Sequence, residues 1–291
     1  MNMNNRFRNS IVKLPAFPAT IHRVTALTNN ADSSLAELVG VVRLDPAITA
    51  NILRICNSAY FGLRHRVDNV HDAIMYLGRQ NVVRAVMAAG VSRFFRDTPG
   101  YETEARELWE HAVGTALMSQ LLARKILGRE DAGLFTAALL HDIGKIILGE
   151  YIHEKREEFG RLLEDRGRSF LDVEDEVLGM NHAALGGTIA AAWNFPLDIQ
   201  LTVAGHHRPD MLAESASPVP WIVHLADQAC LMLGIGKGTD GLAYYGMACA
   251  VDRFNLSQND LETVMAEFLK EFENARELVG IVQSSSETAR Q

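Results

Sequence analysis

His141, Asp142 and Lys145 interrupt a stretch, Phe135 to Leu148, in which almost every other residue is apolar. With no polar stripe at helical spacing, the stretch reads as a helix buried on all sides. A charge in such a place costs several kcal/mol unless a partner or a ligand compensates it. Two readings account for the three residues. In one, Asp142 and Lys145 form a buried ion pair at i, i+3 and His141 is a satisfied core histidine, which leaves the imidazole without a task. In the other, His141 and Asp142 are adjacent ligands of a divalent metal, and coordination offsets the cost of burying the carboxylate.

The chain has ten histidines, and where the others fall bears on that choice. His111 shares a helix face with Leu108, Thr115, Met118 and Leu122, so it points inward. His182 opens a helix behind Asn181, His206-His207 end one before Pro209, and Asp227 shares a face with Val223, Cys230 and Leu231. Neutral imidazoles bind borderline transition metals, and one carboxylate can give an oxygen to each of two ions. About four of these groups would hold one ion, and all seven suit a carboxylate-bridged pair. Separate helices of a bundle can supply such ligands. A lone inward histidine is ordinarily a core residue; the set is the signal. His224 lies one turn before Asp227, where support of a ligand is the lesser expectation, and His22, His65, His71 and His153 are assigned nothing.

The elements that must position these groups all read as helices. Ser34 to Glu37 is a capping box, Asp45-Pro46 restarts a helix, and Asn69 caps one that reaches Leu77-Gly78, with a further helix over Val82 to Phe95. Asp97-Thr98-Pro99-Gly100 is a breaker and marks a subdomain boundary. A long helix follows from Thr103 to Leu127, stopped by Gly128, and then the buried central helix. Tyr151 to Arg166 reads as a solvated outer helix, and further helices begin at Ser169, Asn181, Pro196 and Pro220. A Gly-rich linker, Gly234 to Gly241, precedes helices around Leu242–Ala250 and Ser257–Leu278. No run alternates as a strand would, so the expected class is all-α. The expected divisions are a tail over 1–10, an N-terminal helical half over 11–100, a metal-site half over 101–235, C-terminal helices over 236–283 and a disordered tail over 284–291.

Composition excludes several functions. The 291 residues are 48% hydrophobic and 22% charged, with net charge −8, so the balance offers no electrostatic footprint for nucleic acid or anionic membrane. No apolar run approaches the ~18 residues of a membrane span, and Met1 to Ser10 lacks the apolar centre of a signal peptide. Cys56, Cys230 and Cys249 have no metal or redox spacing and read as reduced core residues, which fits the cytoplasm. Arg64, Arg66, Arg79, Arg84, Arg93 and Arg96 concentrate positive charge in the N-terminal part, either as a face for an anion or partner or as ordinary solvated charge.

His111, then His141-Asp142-Ile143-Gly144-Lys145, then Asp227 resembles the H…HD…D pattern of the HD phosphohydrolase superfamily. His182 and His206-His207 are similar to the extra ligands of its two-metal members, among them the cyclic di-GMP phosphodiesterases called HD-GYP. Leu14-Pro15-Ala16-Phe17-Pro18, Asp45-Pro46, Asn57-Ser58-Ala59-Tyr60-Phe61-Gly62 and Ala73 to Gly78 narrow the resemblance to the HDOD family, as do His182 to Trp193 and His-His-x-Pro at His206 to Pro209. It spans roughly residues 11 to 235.

The resemblance implies a helical bundle of HD-domain type with an N-terminal helical subdomain, and a bacterial signalling or regulatory role. Many HDOD domains lack part of the metal set, whereas this sequence keeps all seven positions. It implies that His111, His141, Asp142 and Asp227 hold one divalent ion and that His182, His206 and His207 hold a second, with Asp142 bridging. Iron, manganese, zinc and nickel all suit such ligands. The rival expectation is a working phosphohydrolase, in which metal-activated water attacks phosphorus in line, Asp142 holds the ions and Lys145 aims its ammonium at a phosphate. Pairing of Lys145 with a buried carboxylate stands beside that role, and Arg208 is either a contact for an anionic substrate or solvated. After His206-His207 comes Arg208-Pro209-Asp210, without the acidic residue and Gly-Tyr-Pro segment of HD-GYP, which weighs against cyclic di-GMP as substrate. The expected partners are a signalling protein docked on the N-terminal helices and a phosphate-containing small ligand, with neither nucleic acid nor membrane. No receiver or diguanylate cyclase domain fits in the remaining residues, so a stand-alone HDOD protein is expected.

Overall fold

Helix caps set the boundaries of the bundle. In the computed structural model, which describes residues 3–29, 33–57, 65–164, 168–212, 217–236, 238 and 248–288, the Ser34–Glu37 box, the Asn69 cap, the Ser169–Asp172 box and the Asn181 cap all form as hydrogen-bonded N-termini. Gly128 and Gly179 end their helices in the left-handed conformation.

The N-terminal half comprises α1 (Met3–Lys13), α2 (Ala19–Asn29), α3 (Leu35–Val42), α4 (Pro46–Cys56) and α5 (Val70–Ser92), the last kinked at Gly78. A 3₁₀ turn over Pro99–Tyr101 leads to α6 (Ala105–Leu127), α7 (Ala132–Leu140), α8 (Lys145–Glu154), α9 (Arg156–Leu163) and α10 (Phe170–Leu178). Then come α11 (His182–Ala192), α12 (Leu197–Gly205), α13 (Val219–Met232), α14 (Ala248–Arg253) and α15 (Gln258–Thr288). The described residues contain no named strand, only an isolated bridge between Thr98 and Thr103, and the class is all-α. None of their helices is long and apolar enough to cross a membrane.

α6 is the axis. It packs on α7, α13 and α15, and Trp109, Met118 and Leu122 on it are buried. α11 lies against α12. One hydrophobic core runs from Phe7 to Phe272 through both halves. The halves meet in an aromatic cluster: Phe17, in the non-helical link before α2, lies 5.0 Å from Trp193 and 4.9 Å from Phe195 between ring centroids, and Phe94 lies 4.4 Å from Trp193.

Several expectations need correction. The stretch from Phe135 to Leu148 is two helices, α7 and α8, joined by a tight turn over 141–144 in which Ile143 N–H donates to Leu140 O and Lys145 N–H to Asp142 O, each at 2.9 Å. Uniform apolar flanks conceal this shift to i→i+3 bonding. Residues 3–10 are helical, not a tail, because Phe7 buries its ring edge-on against Tyr151 at 5.1 Å and Arg6 pairs with Glu154. For the same reason the helical segment beginning at Tyr151 is not wholly solvated, since α1 covers Tyr151 and Ile152 is buried. Cys56 and Cys230 are buried free thiols, but Cys249 is exposed. α15 continues through 284–288, where a disordered tail was expected. Ser58 to Gly62 of the Asn57 motif, Arg64, and the first part of the Leu242–Ala250 helix lie outside the described residues.

The aromatic cluster yields a stability prediction. Phe17→Ala removes a ring that touches both halves and should cost about 3–5 kcal/mol in urea denaturation followed by tryptophan fluorescence. A loss below about 1 kcal/mol would show that the halves are not joined there.

Candidate metal centre

Five backbone segments deliver the seven side chains. His111 projects from the middle of α6 and Asp227 from α13; His141 and Asp142 sit in the α7–α8 turn; His182 is the first residue of α11; His206 and His207 follow the end of α12. All seven are buried, His207 the most exposed at 7%. The Asn181 side chain accepts from Ala184 N–H at 2.8 Å and fixes the start of α11. Gly144 lets the turn seat on that helix, because a Cβ there would lie 1.9 Å from the His182 carbonyl oxygen. Gly236, at φ +88°, closes behind His111, where a Cβ would lie 2.6 Å from Nδ1.

The ligand atoms form two sets that share Asp142. In the first, His111 Nε2 lies 3.1 Å from Asp227 Oδ1 and 3.7 Å from Asp142 Oδ2, and His141 Nε2 lies 3.5 Å from Asp142 Oδ2 and 3.3 Å from His111 Nε2. In the second, Asp142 Oδ1 is 3.3 Å from His182 Nε2 and 3.8 Å from His206 Nε2, and His182 Nε2 is 3.0 Å from His207 Nε2. Ligands at 2.0–2.2 Å from one ion stand about 3.0–3.5 Å apart, so these spacings fit a cation with little adjustment.

Hydrogen bonds on the far side of each ring decide where the lone pairs point. His111 Nδ1 donates to Ile235 O at 3.0 Å, His141 Nδ1 to Ala138 O at 2.7 Å and His206 Nδ1 to Val203 O at 2.7 Å. A carbonyl can only accept, so the neutral rings carry their proton on Nδ1 and turn a bare Nε2 inward. His206 Nε2 makes no hydrogen bond among the described residues. Lys145 Nζ lies 2.8 Å from Asp142 Oδ2, but not in hydrogen-bond alignment. Inward lone pairs and carboxylate oxygens around a common space are a donor set suited to a transition metal.

Glu174 was missed in the sequence. It is fully buried on α10, accepts from His182 Nδ1 at 2.8 Å and from the His182 backbone N–H at 2.9 Å, and receives the Tyr101 hydroxyl at 2.6 Å. This carboxylate fixes the ring of His182 as carboxylates do behind metal-bound histidines. Its position, four residues from both Phe170 and Leu178 on the apolar face of an amphipathic helix, is the signal that could have found it. His224, for which a place behind a ligand was the lesser expectation, donates from Nδ1 to His206 O at 2.9 Å.

Charge in the metal-free cluster is settled by protons. Burial opposes protonation of His182, yet the Glu174 and Asp142 carboxylates outweigh it and raise its pKa to about 9. Burial likewise opposes protonation of His111, and Asp227 and Asp142 reverse the balance and raise it. Burial, with the neighbouring His141 and His182, pushes His206 down to about 3, and burial lowers His141 and His207 as well. Burial alone would raise Asp142, but the Lys145 ammonium and the adjacent imidazoles hold it well below the carboxylate range.

Lys145 is ion-paired with Asp142 and sits over the Tyr101 ring at 5.3 Å. Arg208 pairs with Asp172 at the surface. Among the N-terminal arginines, Arg84 pairs with Glu130, Arg96 with Glu150 and the Ile146 carbonyl, and Arg79 bonds Ser33 O. These contacts neutralise much of the charge that the sequence concentrates there. His22 packs on Phe17 and Phe195, and His65, His71 and His153 are exposed.

Two outcomes are expected. Glu174→Gln keeps the shape of the site but removes the charge behind His182, and should weaken metal binding 10–100-fold in competition with a chelating dye. A histidine binds a cation only through a bare nitrogen, so His182, with its pKa at about 9, and His111, with its pKa raised by Asp227 and Asp142, set protons against metal. Apparent metal affinity should therefore rise with pH up to about 9, the raised pKa of His182. Calorimetry in buffers of different ionisation heats measures the released protons, and an affinity flat between neutrality and that pH would contradict the assignment.

Known proteins agree with this architecture. A chain from Marinobacter aquaeolei VT8, named by inference a signal transduction protein, superposes with a TM-score of 0.74 at 20% identity, over 97% of this chain and 61% of its own. An HDOD domain protein of unknown function from Geobacter sulfurreducens gives 0.71 at 18% identity, over 97% of each chain. A chain from Shewanella amazonensis SB2B, named by inference a phosphohydrolase, gives 0.65 at 20% identity, over 96% of this chain and 97% of its own. An uncharacterized protein of Treponema pallidum (strain Nichols) is 23% identical over 222 residues, 76% of this chain but 42% of that protein, so the chain spans less than half the length of this relative. The family model for the HDOD domain matches residues 14–209. Matched over two thirds of its length, with a buried His/Asp cluster that could hold a metal, the chain belongs to the HDOD domain family.

Proposed function

We propose that this is a cytoplasmic HDOD regulatory protein built around two divalent transition-metal ions, with His111, His141, Asp142 and Asp227 holding one and His182, His206 and His207 the other. The observation that carries the reading is the division of Asp142, whose Oδ2 faces His111 and His141 and whose Oδ1 faces His182 and His206. A carboxylate so placed serves as a bridge. Metal held there links α6, the α7–α8 turn, α11, α12 and α13, and so makes the packing of the bundle depend on occupancy. Exposed apolar residues of the N-terminal half, Leu44 in the α3–α4 turn and Met75 and Tyr76 on α5, supply a face for a signalling partner. Free thiols buried at Cys56 and Cys230 support a reducing compartment.

A second reading is a phosphohydrolase, and the full ligand set favours it. Metal ions in such a site supply Lewis acidity to a phosphoryl oxygen and a nucleophile at neutral pH. The chain's own contribution would be Lys145, whose ammonium is held beside the ligands by Asp142 and Tyr101, and His207, the most exposed of the seven ligands. One neighbour in fold is named for signalling and another for phosphate chemistry, one for each reading.

Elemental analysis of protein purified without chelators should give between one and two metals per chain; less than one removes both the dinuclear site and the enzyme. With metal present, a panel of phosphomonoesters and cyclic nucleotides separates the readings: turnover that Asp142→Ala abolishes makes the chain a hydrolase, and none favours regulation. Asp142→Ala should lower metal content more than His224→Ala, since Asp142 faces both sets of imidazoles whereas His224 bonds the backbone carbonyl of His206. Equal losses would show that the ligand set is mis-assigned.

A further inference from the structure

A cleft of about 280 Å³ opens between α6, α13, α14 and α15. Met118, Leu122, Leu225, Met232 and Met265 supply much of its apolar wall, and His224 and Gln228 are its polar residues. Ion pairs brace the rim: Arg124 with Glu267 and Glu271, and Lys125 with Asp260, hold α15 against α6 at a fixed distance. Unfilled apolar volume forfeits dispersion contacts along its walls. An apolar cavity of about 150 Å³ stays dry and takes benzene, so this one suits a molecule nearly twice that size.

We propose that the cleft is a binding site for a small, neutral, largely apolar molecule of bicyclic-aromatic size, and that its occupancy reaches the metal ligands. The route is short. Met118 and Leu122 lie on the face of α6 that carries His111, two and three turns along. On α13, Gln228 donates to Asp227 Oδ2 at 3.4 Å and His224 donates to the His206 carbonyl at 2.9 Å. A molecule wedged between α6 and α13 thus bears on both helices that hold the His111–Asp227 contact. The binding claim stands without metal; the coupling claim rests on the metal reading above.

The test uses N-phenyl-1-naphthylamine, a neutral fluorophore that brightens in apolar surroundings, with the full chain in metal-loaded and chelator-treated forms. Saturable binding of one probe per chain is expected, weakened at least tenfold by Ala229→Phe or by Met265→Trp, which fill the cleft from opposite walls. Circular dichroism establishes that each variant is folded, and either alone decides the matter. Val12→Ala, exposed on α1 and no part of the cleft lining, should leave binding unchanged. No saturable binding, binding that survives either folded filling variant, or binding lost in Val12→Ala overturns the site. For coupling, saturating probe should change the metal affinity of the wild type at least threefold, with the reciprocal change in probe affinity on metal loading. An unchanged affinity overturns the coupling while leaving the site, and a chain that binds no metal refutes the metal reading and the coupling but not the probe result.

Discussion

Two carboxylates and five imidazoles share a buried space in this bundle, and only positive charge among them makes that tolerable. The difficulty is sharpest between His111 and His141, whose Nδ1 protons are committed to carbonyls and whose Nε2 atoms lie 3.3 Å apart. Two lone pairs at that distance repel unless a proton or a metal lies between them. Part of the answer is in the chain itself: the carboxylates raise the pKa values of His182 and His111, and the Lys145 ammonium pairs with Asp142. A divalent ion satisfies the same demand with more charge and directed bonds. The surrounding features follow from it: carbonyls behind the rings, Glu174 behind His182, and glycines where the backbone must come close.

Helix ends do most of the positioning. His182, the His141–Asp142 turn and the His206-His207 pair all sit at helix termini, where the chain changes direction and neighbouring side chains can diverge. A mid-helix residue is tied to its neighbours' 100° spacing, so His111 and Asp227 each give one ligand while the turns give two. The termini also carry unsatisfied backbone groups that need partners. At the start of α11, the His182 N–H meets this need by donating to Glu174, the same carboxylate that takes the ring proton. One residue thereby settles a helix N-terminus and the orientation of a ligand, and the negative charge suits the positive end of the helix.

What the sequence made legible follows from what is local. Caps, breakers and inward spacings are written in a few consecutive residues, so the all-α class, the Ser34, Asn69, Ser169 and Asn181 starts and the convergence of His111, Asp142 and Asp227 could be read before any coordinates. What was missed depends on distant partners. The polar composition of the first ten residues hides a helix because Phe7 finds its cover in Tyr151, far along the chain. The turn at 141–144 was hidden by flanks that are apolar on both sides of the break, so no change of period marks it. Glu174 stands in the sequence among Asp172, Asp175 and Glu176, and the contact with His182 shows that it faces the core.

The same local logic bears on how the two halves communicate. α11 begins at His182 in the ligand cluster and runs 11 residues to its end beside Trp193, which packs on Phe94 and Phe17. At about 1.5 Å per residue, such a helix is a rod some 16 Å long with a ligand at one end and the aromatic junction at the other. Gly186 and Gly187 seat its middle closely on neighbouring backbone: a Cβ at Gly186 would lie 3.4 Å from Gly144 N, and one at Gly187 would lie 3.1 Å from Gln200 O. The cluster and the aromatic junction are thus the two ends of one closely seated helix, which is why a short apolar element with two adjacent glycines stands between them.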